Sequence, residues 1–367
     1  MIKKCLLTSK SFIFILIFSI SSSCNGQKET KIFPEKTKVL ANSISLSAKT
    51  LPEFKTDPHV KESQGNQISG VVRTIFQDKN NFFWFGTQNG LCRYNGEELI
   101  YFDIKNDLGK RIVVTVIIED QLGNLWIGHD GGITQYDGTY FTNFTEKQEL
   151  ISNNVRSMAI DTNGIIWIGT LQGVSRFDGE KFTPFYIPEA KPDNTRGVTS
   201  SKIVHSIMED SKGQLWFGTN GGAYIYNGEK LTNISEKDGL CNNNVNSIIE
   251  DSSGNIWFAT THNGLCYFNG NSFINITEKG NITGKEIWNI SEDKNKNIWF
   301  NVKGEGIYRY DGENFTHFHA EQGLSNNATF KILEDNQGRI WSVGFMGAYR
   351  YNGKSFINIT RNGPWND

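Results

Sequence analysis

Four short apolar segments follow one another in the stretch Val155-Arg-Ser-Met-Ala-Ile-Asp161, Gly164-Ile-Ile-Trp-Ile-Gly-Thr170, Gly173-Val-Ser-Arg-Phe-Asp-Gly179 and Phe182-Thr-Pro-Phe185. Each segment is four to seven residues long and is bounded by Gly, Asn or Asp, which is typical of strands rather than helices. The stretch therefore predicts four antiparallel strands joined by tight turns.

The same pattern recurs seven times along the chain. Its tryptophans stand at positions 84, 126, 167, 216, 257, 299 and 341, separated by 42, 41, 49, 41, 42 and 42 residues. Four strands in about 42 residues are the content of one propeller blade, and a single blade must stack on its neighbours to bury both faces. We therefore predict an all-β fold in which residues 68–360 form a seven-bladed β-propeller of four-stranded antiparallel blades. A solenoid is the alternative, but no capping repeats are seen at either end of the array.

Two turns repeat in register with the tryptophans. An aromatic residue followed by Asn-Gly or Asp-Gly stands between the third and fourth strands of every copy, as in Tyr136-Asp-Gly138, and predicts a two-residue hairpin turn. An Asp precedes every second strand, and Gly follows it three residues later in five copies. Asn81 and Lys296 take the place of that Gly in the other two. Residues that recur in every blade are best explained by folding.

The beginning of the chain is typical of an export signal. Three lysines precede an apolar run at 12–20, which is too short to cross a bilayer, and Ser-Ser-Ser leads into Cys24. We predict a lipoprotein signal peptide at 1–23, lipidation of Cys24, a polar tether at 24–67 and a C-terminal tail at 361–367. Ser21 stands where Leu is usual, so a simple secretory signal is the alternative.

Composition limits the classes of function. The net charge is −2, and it becomes −5 when residues 1–23 are removed, so no basic excess points to nucleic acid. No complete metal, phosphate-loop or nucleophile motif is present, and we expect no cofactor, no metal and no catalytic residue. The candidate partners are a polar small molecule, a glycan or a protein of the cell envelope, with the membrane contacted through the lipid anchor alone.

Three cysteines remain after Cys5 and Cys24 are set aside. Cys92 and Cys266 occupy equivalent places in third strands, where a small apolar residue suffices. A disulfide between Cys241 and Cys266 is an alternative in an oxidising compartment. Because three thiols cannot all pair, we expect buried free cysteines.

A binding site should lie where the repeats differ. The loops that lead into the first strand and those that join the second strand to the third open on one face of a propeller. Aromatic, amide and charged residues on these loops suit a polar ligand such as a sugar. The predicted mouth of the propeller consists of Arg111, His129, Asp130, Gln172, Asn220, His262, Trp288, Lys303, Glu305 and Phe345. Any single one of them is also compatible with an ordinary solvated loop residue.

The segments Asn154 to Gly173 and Asn244 to Gly264 resemble the two-component regulator propeller repeat, and the likeness extends in register over all seven copies. That family implies periplasmic or surface sensor domains in hybrid sensor kinases of Bacteroides- and Flavobacterium-type bacteria, some of which recognise glycan fragments. This chain shows one propeller and no kinase. The resemblance therefore implies a ligand- or partner-binding role in sensing or uptake, in an outer-membrane lipoprotein of the cell envelope.

Two other functions remain open. The repeats resemble, more distantly, the propeller of streptogramin lyases, and His129 or His262 with Glu305 could then serve as catalytic groups. A structural lipoprotein that docks other proteins is the third reading.

Overall fold

The computed structural model describes residues 48–59, 65–195, 199–280, 282–324 and 328–365. The predicted signal peptide, Cys24 and most of the predicted tether lie outside these residues. None of the helices in the described part has the length and apolar character needed to span a membrane.

Seven four-stranded antiparallel units follow one another in chain order, as the sequence predicts. The strands of blades 1 and 2 are β2 (Val72–Gln77), β3 (Phe83–Thr87), β4 (Gly90–Tyr94), β5 (Leu99–Phe102), β6 (Val114–Glu119), β7 (Leu125–His129), β8 (Gly132–Tyr136) and β9 (Phe141–Phe144). Those of blades 3 and 4 are β10 (Val155–Ile160), β11 (Ile166–Thr170), β12 (Gly173–Phe177), β13 (Phe182–Phe185), β14 (Val204–Glu209), β15 (Leu215–Thr219), β16 (Gly222–Tyr226) and β17 (Leu231–Ile234).

Blades 5 to 7 continue the same order. Their strands are β18 (Val245–Glu250), β19 (Ile256–Thr260), β20 (Leu265–Phe268), β21 (Phe273–Asn275), β22 (Ile290–Glu292), β23 (Ile298–Val302), β24 (Gly306–Tyr310), β25 (Phe315–Phe318), β26 (Thr329–Glu334), β27 (Ile340–Gly344), β28 (Gly347–Tyr351) and β29 (Phe356–Ile359). Short helical turns cover Glu146–Gln148, Glu236–Asp238, Ile276–Lys279 and Ala320–Gln322. The first strands of neighbouring blades lie side by side around the axis.

The recurring Asp and Trp form one structural unit in each blade. In blade 3, Asp161 Oδ2 accepts the Trp167 Nε1–H at 2.9 Å, while its Oδ1 accepts the backbone N–H groups of residues 163 and 165. The corresponding Trp–Asp bond is present in all seven blades at 2.7–2.9 Å. Buried indole N–H groups need an acceptor, so the Asp lets the Trp fill the space between blades. This explains why the two residues recur together.

The turn between the third and fourth strands is placed one residue later than predicted. In blade 2 the Asp137 N–H donates to the Tyr140 carbonyl at 3.2 Å, so Gly138 and Thr139 are the central residues of the turn. Asp137 Oδ1 accepts the N–H groups of both Thr139 and Tyr140. Gly138 has a φ of 96°, which favours glycine there. The Asp is thus an acceptor for the turn rather than one of its central residues.

The ring closes between blade 7 and blade 1. Asn336 N–H donates to Gln77 Oε1 at 2.8 Å, the same contact that Glu residues make between most other neighbouring blades. Trp365 fills this junction, stacked on Tyr94 of blade 1 with ring centroids 3.9 Å apart and packed near Trp341 of blade 7. The segment assigned to a tail therefore contains a residue that packs in the core.

Part of the range assigned to the tether also pairs with the propeller. Strand β1 (Glu53–Phe54) adds a fifth strand to blade 1 beside β5, and Lys49 bridges to Phe141 on the outer edge of blade 2. Asp57 is buried and accepts from Asn89 Nδ2 at 3.2 Å. This N-terminal strap, residues 49–57, thus crosses the outer edges of two blades.

The expectation of free cysteines is wrong for one pair. Cys241 and Cys266 form a disulfide, with their Cα atoms 6.1 Å apart. The loop that leads into blade 5 packs on the third strand of that blade, so the two side chains meet in one apolar cluster. Cys92 is buried and free, as expected.

Candidate functional site

A cavity of ≈ 590 Å³ opens where the first strands meet at the axis. Every blade contributes to its wall the residue that is equivalent to Arg156 of blade 3 and stands ahead of or within the first strand. We call these seven positions the channel ring. Its members are Arg73, Thr115, Arg156, His205, Asn246, Trp288 and Phe330.

A shift in strand register directs the ring side chains into the cavity. In blade 3, Val155 pairs with Thr170 and Ser157 with Gly169, which leaves Arg156 as an extra residue between them. Thr170 and Gly169 are adjacent and point to opposite faces of the blade, so Val155 and Ser157 do too, whereas residues two apart in a regular strand share one face. A bulge of this kind re-aims the side chain of the inserted residue. The same shift occurs in blades 1, 2, 4, 5 and 7.

Blade 6 positions its ring residue by a different contact. Asn301 replaces the small or apolar residue found at this place in the other blades, and its Oδ1 accepts the N–H groups of Trp288 and Asn289 at 3.2 and 2.9 Å. Glu286 then accepts the indole N–H of Trp288 at 2.8 Å. Trp288 is therefore fixed from both its backbone and its ring.

One side of the cavity is aromatic. The rings of Trp288 and Phe330 are stacked, 5.3 Å apart and 4° from parallel, and Phe345 packs on Phe330 at 5.2 Å. The Arg73 guanidinium carbon lies 4.3 Å from the centre of the Phe330 ring, and Lys303 Nζ lies 5.5 Å from that of Trp288. Cations at these distances are attracted to the aromatic faces. The wall combines flat apolar surface with positive charge.

The other side of the cavity is polar. His205 Nε2 donates to Asn220 Oδ1 at 2.9 Å, and Asn220 Nδ2 donates to Thr199 Oγ1 at 3.1 Å. Asn246 Nδ2 donates to the Ile287 carbonyl at 2.7 Å, which connects blade 5 to blade 6. The imidazole of His205 and the amide of Asn246 thus line this part of the cavity.

The long connection between blades 3 and 4 reaches the cavity. It accounts for the single spacing of 49 residues in the sequence, and its Thr195 contributes to the cavity wall. Asp193, which is buried, accepts from His262 Nε2 at 3.1 Å and from Asn244 Nδ2 at 3.2 Å. Burial raises the pKa of Asp193, but hydrogen bonds from Thr195 and His262 outweigh it and hold that pKa below the usual value. His262 therefore anchors this connection.

His129 lies inside blade 2, away from the cavity wall. Its side chain is buried; Nδ1 accepts the Gly131 N–H at 3.0 Å, and Nε2 bonds to Thr134 Oγ1 at 2.9 Å. In blades 1, 3 and 4 a Thr hydroxyl accepts the corresponding N–H. Burial lowers the pKa of His129 to about 3, so the ring is neutral. His129 thus supports the turn that follows β7. The sequence instead predicted it as a residue of the propeller mouth.

The structure brings only part of the predicted mouth together. Asp130, Trp288 and Lys303 line the cavity, while Asn220 and Phe345 contact ring residues. Arg111 is exposed and donates to Asn89 Oδ1 at 3.2 Å. Gln172 is exposed too, and neither it nor Glu305 is among the residues of the wall.

Sequence reasoning missed Glu286 and six of the seven members of the channel ring. The position equivalent to Arg156 holds six residue types in seven copies, but its neighbours also differ, from Val-x-Ser in blades 3 to 5 to Thr-x-Lys in blade 7, so variation alone did not identify it. No group of three or more His, Cys, Asp or Glu side chains in the described ranges is arranged to hold a metal ion.

The repeats are also recognised by comparison. The family model described as two component regulator propeller matches residues 66–89, 149–172, 197–221 and 239–262. No curated protein matches the chain.

Solved structures share the fold. The extracellular domain of the hybrid two component system BT3049 from B. thetaiotaomicron is 23% identical, with a TM-score of 0.63 over 85% of this chain and 42% of its own. This chain thus spans less than half of that protein. A streptogramin B lyase is 18% identical, with a TM-score of 0.61 over 83% of this chain and 96% of its own. Virginiamycin B lyase from Staphylococcus aureus with quinupristin is 15% identical, with a TM-score of 0.60 over 83% and 97% of the two chains. At these identities the likeness concerns the fold alone.

Proposed function

The chain carries two component regulator propeller repeats, and on that premise we propose that it is an exported, lipid-anchored propeller that binds a polar ligand in its central cavity. Its role is sensing or uptake at the cell envelope, and a glycan is the first candidate ligand. One observation carries the proposal. Seven structurally equivalent positions around one cavity hold six different residue types, although the blades that present them repeat closely.

The cavity has the size and chemistry of a small-molecule site. Its ≈ 590 Å³ falls within the usual range of ligand pockets, roughly 300–1,000 Å³. Trp288 supplies an aromatic surface at one side, and His205 and Asn246 supply hydrogen-bonding groups at the other. A ligand with both hydroxyl groups and a flat apolar face fits such a wall.

The test is a glycan array probed with the purified full chain, followed by measurement of affinity for any glycan that binds. Trp288→Ala should weaken binding by about 1–3 kcal/mol, because a buried contact is lost. Tyr140→Ala is the matched control, since Tyr140 is an exposed aromatic residue on the loop between β8 and β9, away from the cavity. An equal loss in both variants would place the ligand outside the cavity.

The lyase alternative has one observation in its favour, the histidine in the cavity wall. His205 is held by Asn220 rather than by an acid, whereas His129 is buried and His262 is bound to Asp193. Turnover of a cyclic lactone such as quinupristin by the wild-type chain, and its loss in His205→Ala, would replace the binding role with an enzymatic one.

The proposed anchor is tested separately. Cys24→Ala should move the protein from the membrane fraction to the soluble fraction, because no lipid can then be attached. Retention of the variant in the membrane fraction would remove the anchor from the proposal without affecting the cavity.

A further inference from the structure

The charged residues of the cavity wall are not equally neutralised. Glu286 accepts from Lys303 Nζ at 2.9 Å and from Trp288 Nε1 at 2.8 Å, so its carboxylate has two donors. Asp130 Oδ1 accepts the Val113 N–H at 2.9 Å. Both acids of the wall are therefore already held by protein groups.

Arg73 differs from them. Its guanidinium lies against Phe330, and no carboxylate of the described residues is within 4.0 Å of it. Its Nε is buried and has no hydrogen-bond acceptor in that part of the chain. Because burial removes part of its charge from water, the pKa of Arg73 is lowered. An aromatic face attracts the cation but offers no lone pair to its N–H groups.

A partly desolvated guanidinium costs free energy unless an anion or another acceptor satisfies it. Arginine is well suited to this purpose, because its planar fork matches a carboxylate or a sulfate with two parallel bonds. The cavity beside Arg73 is open to such a group. Arg156 lines the same cavity from blade 3, with the small side chain of Thr115 between the two ring positions.

We infer that the ligand of the central cavity is an organic anion, whose carboxylate or sulfate pairs with Arg73 while its apolar part lies along Phe330 and Phe345. This inference rests on the proposed function and narrows it. The cavity thereby selects by charge, although the chain as a whole is slightly acidic.

Benzoate and benzyl alcohol are a suitable pair of probes, because they share a flat ring and differ in the anionic group. Binding to the full chain is measured by calorimetry, and sodium sulfate at matched ionic strength tests the anion alone. We expect benzoate to bind at least about tenfold more tightly than benzyl alcohol, as a charge-assisted pair is added. Arg73→Gln should abolish this preference, and Arg73→Lys should retain part of it.

Arg111→Gln is the control, since Arg111 is an exposed arginine bound to Asn89 outside the cavity wall. Equal affinity for the two ring probes, or an unchanged preference in Arg73→Gln, would overturn the inference. If both probes bind equally and Trp288→Ala weakens both, the cavity is a ligand site but not an anion site. If neither probe nor sulfate binds, and Trp288→Ala leaves the affinity for every array ligand unchanged, the anion inference and the proposed function both fail.

Discussion

The last residue of the second strand and the channel-ring residue both vary between blades, but they vary for different reasons. His129 occupies the first position and accepts a backbone N–H that a Thr accepts elsewhere. His205 occupies the second and turns its ring toward the cavity. The same residue type supports a turn in one place and lines the cavity in the other. Variation within a repeat thus indicates function only where the side chain is not needed to accept a hydrogen bond from the backbone.

Positions that never vary should give the largest effect on stability. Trp167 packs between blades 3 and 4 and donates to Asp161. Trp167→Ala should lower the free energy of unfolding by about 3–5 kcal/mol, the range for large core truncations. Denaturant unfolding measures this change, and a value below about 1 kcal/mol would mean that the repeated Trp–Asp pairs do not hold the blades together.

The junction between blades 7 and 1 should give the next largest effect on stability. Trp365 is partly buried and packs against Tyr94, Phe85 and Trp341. We expect Trp365→Ala to cost about 2–3 kcal/mol, less than Trp167→Ala because less of the ring is buried. Tyr186→Ala is the control, since Tyr186 is 77% exposed. Equal stability of the two variants would show that the ring closes without the C-terminal residues.

His129→Thr tests the first half of the comparison. The folded-state pKa of about 3 lies below that of an unfolded His, about 6.5, so the unfolded state binds the proton first as pH falls. Wild-type stability should therefore fall between about pH 6.5 and 3, by up to about 1.4 kcal/mol per pH unit from this group. His129→Thr should lose that part of the slope and keep its ligand affinity. If His129→Thr leaves the pH dependence of stability unchanged but weakens ligand binding, His129 belongs to the binding site.

The smallest effect concerns Lys296, which has a φ of 68° at the turn where most blades have Gly. Lys296→Gly should stabilise the protein by roughly 0.5–1 kcal/mol, because glycine adopts this conformation without strain. Gly254→Ala is the reverse change in blade 5, where φ is 82° and no atom stands within 4 Å of the added carbon. It should destabilise by a similar amount. If both substitutions change the stability in the same direction, backbone strain does not determine which residue is favoured at this turn.

Much of the fold follows from the sequence, because Trp, Asp and the turn glycines repeat at one spacing and each has a local reason to do so. The N-terminal strap could not be predicted, since two residues of pairing at Glu53–Phe54 leave no periodic pattern. Trp365 lacked a repeat to compare with. Its role depends on the ring closing, which is a long-range contact.

The site was harder to predict than the fold for a specific reason. A regular strand would place Val155 and Ser157 on one face, but the register shift pairs them with adjacent residues of β11 and leaves Arg156 between them as an extra residue in the cavity wall. Loop residues such as Gln172 and Arg111 were favoured instead, since variation in loops is visible without knowing strand register. The long connection before blade 4 was visible as a spacing, but its contact with His262 was not.

The position of Trp365 in the sequence determines when, during synthesis, the exposed surface of blade 1 can be covered. It stands near the C-terminal end of the sequence, yet the surface it covers belongs to blade 1, which is synthesised first. Until Trp365 has been synthesised, Phe85 and Tyr94 lack that cover, and at about 5–20 residues per second this lasts for tens of seconds. During this interval an unfinished chain presents an unpaired apolar blade face, which is the kind of surface that chaperones bind and that otherwise aggregates. Completion of the ring is thus the event that ends the need for such protection.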